Sequence, residues 1–291
     1  MDRRQFLKSV GLAAGTAAAG TVAAGKAHAS AEPAADAEEF WAILVDTTRC
    51  IGCRMCERAC AEANDLPAVE EGDVFANGER KTTEEHWTVV GKHETSQGII
   101  YAKRQCMHCS QPACGSACLT KAMLKTHEGP VIWRSNKCMG CRFCMVSCPF
   151  DMPKFEYSSA VPRIQKCQMC YGRLMEGEVP ACVARCPMKT LAFGKRDEML
   201  DEARARIAAE PDKYQHHIYG EHEVGGTGYL YLSAVPFEEL GFRTDLGDTA
   251  FPEFTTGFLY NVPIVLTLGP AFLLGLSQAT KHEPEAVEED E

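Results

Sequence analysis

No cluster of basic residues interrupts this sequence. Across 291 residues, 30 Lys and Arg stand against 40 Asp and Glu, a formal net charge of -10. An acidic surface repels phosphate backbones, which excludes nucleic acid as a partner. A phosphate-cradling loop is also missing. Gly225-Gly226-Thr227-Gly228 is followed by no helix bearing Lys-Ser/Thr, and it reads as a turn before a strand at Tyr229-Leu230-Tyr231-Leu232. No C-x-x-C pair is followed by His, because His108 falls inside its pair, and that excludes covalently attached haem. No nucleotide fingerprint, flavin motif, or nickel or molybdenum ligand set stands outside the cysteines. With 45% hydrophobic and 24% charged residues, the composition is that of one or two folded domains rather than a disordered chain.

Cysteine, by contrast, is plentiful, and none is left over. The sixteen fall into four quartets: Cys50/Cys53/Cys56/Cys60, Cys106/Cys109/Cys114/Cys118, Cys138/Cys141/Cys144/Cys148 and Cys167/Cys170/Cys182/Cys186. The first and third read C-x2-C-x2-C-x3-C, the spacing by which bacterial ferredoxins hold cubane iron-sulfur clusters through thiolates. Three closely spaced thiolates wrap one cube, while the fourth points away and ligates a neighbouring cluster, so such quartets work in pairs. The second and fourth quartets widen the central gap to four and eleven residues but keep the closing C-x3-C, and Pro follows the last cysteine of the third and fourth quartets, at Pro149 and Pro187. Disulfides are the competing account, since sixteen is even, but disulfide frameworks have irregular spacing and belong to small domains. Zinc ribbons use C-x2-C pairs and give no reason for a third cysteine two residues on.

An internal repeat explains the two kinds of quartet. Ile43-Leu44-Val45 lies as far before Cys50 as Val131-Ile132-Trp133 lies before Cys138, and each is followed by C-x-G-C-R-x-C, with Gly52 matching Gly140 and Arg54 matching Arg142. The other two quartets share Pro-Ala-Cys-x3-Cys, at Pro112 to Cys118 and at Pro180 to Cys186. The chain is thus a duplicated half, type one then type two. A type-one quartet shares clusters with a type-two quartet, which leaves open whether the first pairs with the second or with the fourth. The apolar triplets read as strands entering the cysteine loops, and a short helix is expected after each fourth cysteine. Arg54, Arg142, Lys137 and Lys166 are candidate tuners of bound clusters, with a solvated or salt-bridged role as the alternative, and His108 either faces a partner or fills a loop.

Two segments interrupt the repeat. Within residues 61–105, His86-Trp87-Thr88-Val89-Val90 and Ile99-Ile100-Tyr101-Ala102 flank a polar turn and read as a β-hairpin of structural purpose. After Gly194, Asp197 is expected to cap a helix that buries Leu200, Ala203 and Ile207 and ends at Pro211.

The two ends read as an address and an anchor. Arg3-Arg4-Gln5-Phe6-Leu7-Lys8, an Ala/Gly-rich apolar stretch and Ala27-His28-Ala29 read as a twin-arginine signal over 1–29, with a Sec signal as the alternative. Its removal takes four of 30 basic and one of 40 acidic residues, leaving 26 against 39. A linker at 30–40 precedes a domain at 41–250. No formal charge occurs from Phe254 through Thr280, a stretch long enough to cross a bilayer. Pro263 and Pro270 would kink that helix, and a buried soluble helix is the alternative. The acidic tail at 281–291 is expected in the cytoplasm, an orientation that rests on the signal, since Lys281 alone does little for the positive-inside rule.

Gln105-Cys106-Met107-His108-Cys109, the run from Gly140 to Phe150 and Lys166-Cys167-Gln168-Met169-Cys170 carry a family resemblance. The chain resembles the four-cluster, ferredoxin-like iron-sulfur subunits of membrane-bound bacterial oxidoreductases. It looks most like the signal-bearing, C-terminally anchored subunits of periplasmic hydrogenases and of sulfate-reducer transmembrane electron-transfer complexes. The resemblance implies an α+β fold of two interleaved modules, 41–61 with 162–195 and 100–160, with an inserted hairpin and a C-terminal transmembrane helix. It implies four 4Fe-4S clusters, with the first quartet paired to the fourth. The ligand sets are then Cys50/Cys53/Cys56/Cys186, Cys167/Cys170/Cys182/Cys60, Cys106/Cys109/Cys114/Cys148 and Cys138/Cys141/Cys144/Cys118. It further implies a non-catalytic relay between a periplasmic catalytic or multihaem cytochrome subunit and a quinone-handling membrane subunit. An autonomous iron-sulfur oxidoreductase and a disulfide-bonded envelope protein are the rival readings.

Overall fold

The computed structural model describes residues 40–280. The signal read at 1–29, all but the last residue of the linker and the tail at 281–291 lie outside the described residues. Glu38–Phe254 form one compact unit, and the residues after Phe254 belong to a second.

The first unit runs β1 (Trp41–Asp46), α1 (Met55–Ala63), β2 (Val89–Thr95), β3 (Gly98–Arg104), α2 (Ala113–Ser116), β4 (Met123–Lys125), β5 (Val131–Trp133) and α3 (Phe143–Val146). It continues through β6 (Lys154–Phe155), β7 (Ile164–Gln165), α4 (Tyr171–Met175), α5 (Ala181–Ala184), β8 (Leu191–Lys195), α6 (Arg196–Ala209) and β9 (Tyr229–Leu232). The organising sheet has β1 at its centre, antiparallel to β8 with Ile43 opposite Phe193, and parallel to β9 with Ile43 opposite Tyr229. A strand covered on both faces reads as a nearly continuous apolar run, which is what Ala42-Ile43-Leu44-Val45 is. Alternation divides it: Ile43 and Val45 join Tyr229, Tyr231 and Phe237 on the side of the cysteines. Leu44 joins Leu230, Leu232 and the Leu200 and Ala203 face of α6 on the other.

Three local details depart from the expectations. α6 starts after Lys195 rather than Asp197: the Lys195 backbone N–H donates to Glu198 Oε2 at 3.1 Å, and Asp197 sits in the first turn, where its charge complements the helix dipole. Only part of the expected face is fully covered, with Ile207 packed at its edge. The short helices also lie between the third and fourth cysteines, or run through them as α1 does, and turns follow Cys118, Cys148 and Cys186. The four-residue helices carry the third cysteine of a quartet and end two residues before the fourth, so the chain turns there and the two sulfurs reach different groups.

The duplication is visible in the backbone. Gly52 and Gly140 both have φ +71°, and Arg54 and Arg142 both have φ +60° with ψ of 13° and 9°. α1 packs against α5, and α2 against α3. A hairpin forms, β2 and β3 pairing from Val89 opposite Arg104 to Thr95 opposite Gly98, but His86-Trp87-Thr88 precede β2 and the strands run through most of the expected turn.

The second unit's described part is α7, a helix from Phe251 through Thr280 that begins within the first unit's last residues. Its 30 residues span about 45 Å, against roughly 30 Å of bilayer hydrocarbon, and it is long and apolar enough to cross a membrane. Pro263 and Pro270 lie inside it, and Asn261 and Thr267 return their polar atoms to the carbonyls of Gly257 and Pro263, at 2.7 and 2.9 Å.

Candidate iron-sulfur centres

Each cysteine loop is held by features close to it in sequence. β1 ends at buried Asp46, which accepts from the Thr48 N–H at 3.1 Å and caps the turn that delivers Cys50. The left-handed Gly52 follows, and a Cβ there would meet the Tyr101 ring at 2.6 Å. Arg54 then starts α1, which carries Cys56 and Cys60 inward. In the duplicated copy, the turn before Cys138, Gly140 and Arg142 repeat the same path.

Four groups of cysteines result. Cys50, Cys53, Cys56 and Cys186 line one cavity. Cys60, Cys167, Cys170 and Cys182 line a second, and Cys118, Cys138, Cys141 and Cys144 a third. Cys106, Cys114 and Cys148 surround Cys109 closely enough that their charges act on its thiol, and through Cys148 this group borders a wider cavity of 340 Å³. All sixteen cysteines are free of disulfides. Among the described residues, no three His, Cys, Asp or Glu side chains converge as a single metal ion requires, so the quartets surround a volume rather than a point.

Adjacent groups act on one another. Cys56 lies within electrostatic reach of Cys182, Cys167 of Cys106, and Cys114 of Cys144. Burial is the leading cause of the raised thiol pKa values, pushing Cys114 and Cys167 up to about 12 and Cys144 and Cys148 up to about 11, with neighbouring cysteine charges adding to it. Cys118 goes the other way. Burial opposes its ionisation, but backbone N–H groups of Met123, Ala122 and Thr120 and the Thr120 hydroxyl lower its pKa, with Ala122 N–H 3.1 Å from the sulfur.

Donors elsewhere aim at sulfur or have no partner. The Met169 N–H reaches Cys167 Sγ at 3.3 Å, and Asn64 Nδ2 reaches Cys60 Sγ at 3.7 Å. Tyr229 lines the second cavity with its hydroxyl buried and unpartnered. Buried polar groups without partners are rare in proteins, and a sulfur-rich anionic cluster is the kind of acceptor that satisfies them. The donor set therefore fits 4Fe-4S clusters: thiolate ligands in fours, N–H donors on sulfur, and a spare hydroxyl at the cavity wall.

The candidate tuners separate. Arg54 lines the first cavity, is buried, and pairs with Glu57 at 3.1 Å, which is its salt-bridged reading. Arg142 lines the third cavity and stacks over Phe155 with 5.4 Å to the ring centre. Lys166 is buried, its ammonium 3.0 Å from the Cys167 carbonyl, whereas Lys137 is exposed. His108 is completely buried, which rules out its facing a partner. Its Nδ1 accepts from the Val131 N–H at 2.8 Å, its Nε2 is left unpartnered, and burial holds its pKa well below the usual range. The hairpin was expected to be structural, yet its Lys103 lines both the first and second cavities. No spacing in the sequence singles out that lysine.

The chain was compared with known proteins. Residues 97–196 match the 4Fe-4S dicluster domain family. A protein of Nitratidesulfovibrio vulgaris is 43% identical over 298 residues, covering all of this chain and 80% of that one. Hydrogenase-2 operon protein HybA of Escherichia coli O157:H7 is 31% identical across 97% of both chains. The formate dehydrogenase-O iron-sulfur subunit of Escherichia coli K12 is 33% identical over 69% of each. With its cysteine quartets and cavities in view, the chain belongs to the family of iron-sulfur electron-transfer subunits that includes HybA and the formate dehydrogenase iron-sulfur subunits.

Proposed function

We propose that this chain relays single electrons through four 4Fe-4S clusters, between a catalytic or multihaem subunit on the periplasmic side and a quinone-handling membrane subunit. The ligand sets are Cys50/Cys53/Cys56/Cys186, Cys60/Cys167/Cys170/Cys182, Cys106/Cys109/Cys114/Cys148 and Cys118/Cys138/Cys141/Cys144, in two interleaved modules. The observation that carries this reading is the grouping of all sixteen cysteines into four such sets, three of them around a cavity of their own.

When bound, each cluster supplies a centre that takes up and gives back one electron. The protein supplies the order and the insulation. Cys56 with Cys182, Cys167 with Cys106, and Cys114 with Cys144 set the four ligand groups in a row, and Cys60, Cys106 and Cys167 pack with Trp87 in one apolar cluster that keeps water from the middle. The two ends of the row are open. Cys53 and Cys141 are exposed, beside exposed Ile51 and Met188 at one end and Met139 and Phe143 at the other. Apolar side chains around an exposed ligand are suited to a partner that docks and excludes water. The relatives' names point to a hydrogenase or formate dehydrogenase as the kind of catalytic partner.

The sequence supports export by the twin-arginine route and anchoring by α7 at the outer face of the inner membrane. Export in the folded state would let clusters be inserted beforehand in the cytoplasm. Anaerobically purified protein should contain about sixteen irons and as many acid-labile sulfides per chain. Cys186→Ser should perturb the cluster held by Cys50, Cys53 and Cys56. Loss confined to the cluster held by Cys138 would overturn the pairing, and turnover of hydrogen or formate by the isolated chain would overturn the relay.

A further inference from the structure

Lys103 is the one residue that lines both the first and the second cysteine cavity. It lies near the end of β3 opposite Val90, and its side chain turns inward, leaving the residue 3% exposed. A closed circuit holds it there. Its Nζ donates to Gln105 Oε1 at 2.7 Å, Gln105 Nε2 donates to the Tyr231 hydroxyl at 2.6 Å, and that hydroxyl donates to the Lys103 carbonyl at 3.0 Å. The ammonium also lies 5.2 Å from the centre of the Tyr229 ring.

Among the described residues no carboxylate pairs with this cation. A lone buried ammonium is strongly unfavourable, so its counter-charge must come from what the two cavities hold. The ionisable groups that face it are Cys56, Cys167 and Cys182, together with Tyr231. The other module has no lysine shared between two cysteine cavities: Lys125 faces Cys109 and Cys106 and donates to the His108 carbonyl at 3.1 Å. The Lys166 ammonium is spent on the backbone carbonyls of Val131 and Cys167, and the cavity of Cys138, Cys141, Cys144 and Cys118 is lined by Arg142 but by no lysine.

We propose that Lys103 is a shared counter-charge that raises the reduction potentials of the two clusters of the first module together. A cubane with four thiolates is anionic and gains a further negative charge on reduction, so a fixed cation beside it favours the reduced form. Because the same ammonium faces both ligand sets, it acts on both centres at once and keeps neighbouring steps of the relay close in potential. The inference rests on the cluster reading above.

The test uses the full chain, purified anaerobically as wild type, Lys103→Met and Lys103→Arg, with iron and acid-labile sulfide assayed before redox titration followed by electron paramagnetic resonance. In Lys103→Met, two of the four clusters should shift to lower potential. Their oxidised-to-reduced ratio at a fixed poise should change at least tenfold, which for one electron is 59 mV. The other two clusters should change far less, and Lys103→Arg should stay near wild type. Loss of about half the iron in Lys103→Met with retention in Lys103→Arg would also support a requirement for the charge. A fully loaded Lys103→Met with unmoved midpoints, a shift in one cluster only, or equal iron loss in both variants would overturn the proposal. Absence of labile sulfide from the wild type would instead overturn the cluster reading itself.

Discussion

Glu57 offers a direct test of how the first cysteine loop is held. Its carboxylate is 1% exposed and accepts from Arg54 Nε at 3.1 Å, from the Arg80 guanidinium at 3.0 Å and from the Val90 N–H. Arg54 and Arg80 side chains are themselves only 7% and 15% exposed, so Glu57→Ala leaves two buried guanidinium groups without their anion. Removing one partner of a buried ion pair costs about 3–5 kcal/mol. For a domain of this size each kcal/mol lowers the midpoint by about 2–4 °C, so the apparent Tm should fall by roughly 6–20 °C. Circular dichroism melts of anaerobic protein would read this, alongside the spectroscopic signal of the cluster held by Cys50, Cys53 and Cys56. Replacing all three charged residues with apolar ones, as Glu57→Leu with Arg54→Met and Arg80→Met, should cost less than Glu57→Ala alone, since no charge is then stranded. A Tm drop below about 2 °C for Glu57→Ala, or a larger loss for the triple variant, would refute the argument.

Other expectations follow from local geometry and chemistry. Gly140→Ala forces a Cβ into a left-handed position with the nearest side-chain atom 4.0 Å away and should cost about 1–2 kcal/mol, while Gly52→Ala adds a clash with Tyr101 at 2.6 Å and should cost more by chemical denaturation. Stripping iron from the protein leaves buried thiols such as Cys144 and Cys148, whose pKa values near 11 keep them protonated at neutral pH. Iron must displace those protons, so the extent of cluster reconstitution should rise between pH 7 and pH 9, and a flat profile would contradict the burial argument. Ending the chain at Phe254 should move the protein from the membrane to the soluble fraction while its iron content is kept. Retention at the membrane would show that α7 is not the anchor.

The chemistry of this chain is legible in its sequence because thiolate spacing is a local property. Two or three residues between cysteines suffice to announce a cluster loop, and the repeated C-x-G-C-R-x-C announces its backbone, down to the shared φ of Gly52 and Gly140. The alternating runs of the hairpin are local in the same way. What escaped were side chains whose surroundings come from afar. Nothing in the sequence marks Lys103, because Tyr231, which closes a hydrogen-bonded circuit around it, lies 128 residues away. His108 reads either as facing a partner or as filling a loop, and its burial with Val131 donating to its ring decides for the second. Short helices are expected after the fourth cysteines, yet Ala113–Ser116, Phe143–Val146 and Ala181–Ala184 each carry a third cysteine instead.

The position of β1 also fixes a sequence of events. Trp41–Asp46 is among the first folded segments to be synthesised, yet its sheet partners are Leu191–Lys195 and Tyr229–Leu232. Contacts so distant along the chain form late, since a long loop must close before they can stabilise anything. Until synthesis has passed residue 186 the loop of Cys50, Cys53 and Cys56 lacks the segment bearing Cys186, and until it has passed residue 232 the sheet behind that loop is incomplete. The support of the opening cysteines is thus complete only once the closing strand has been made.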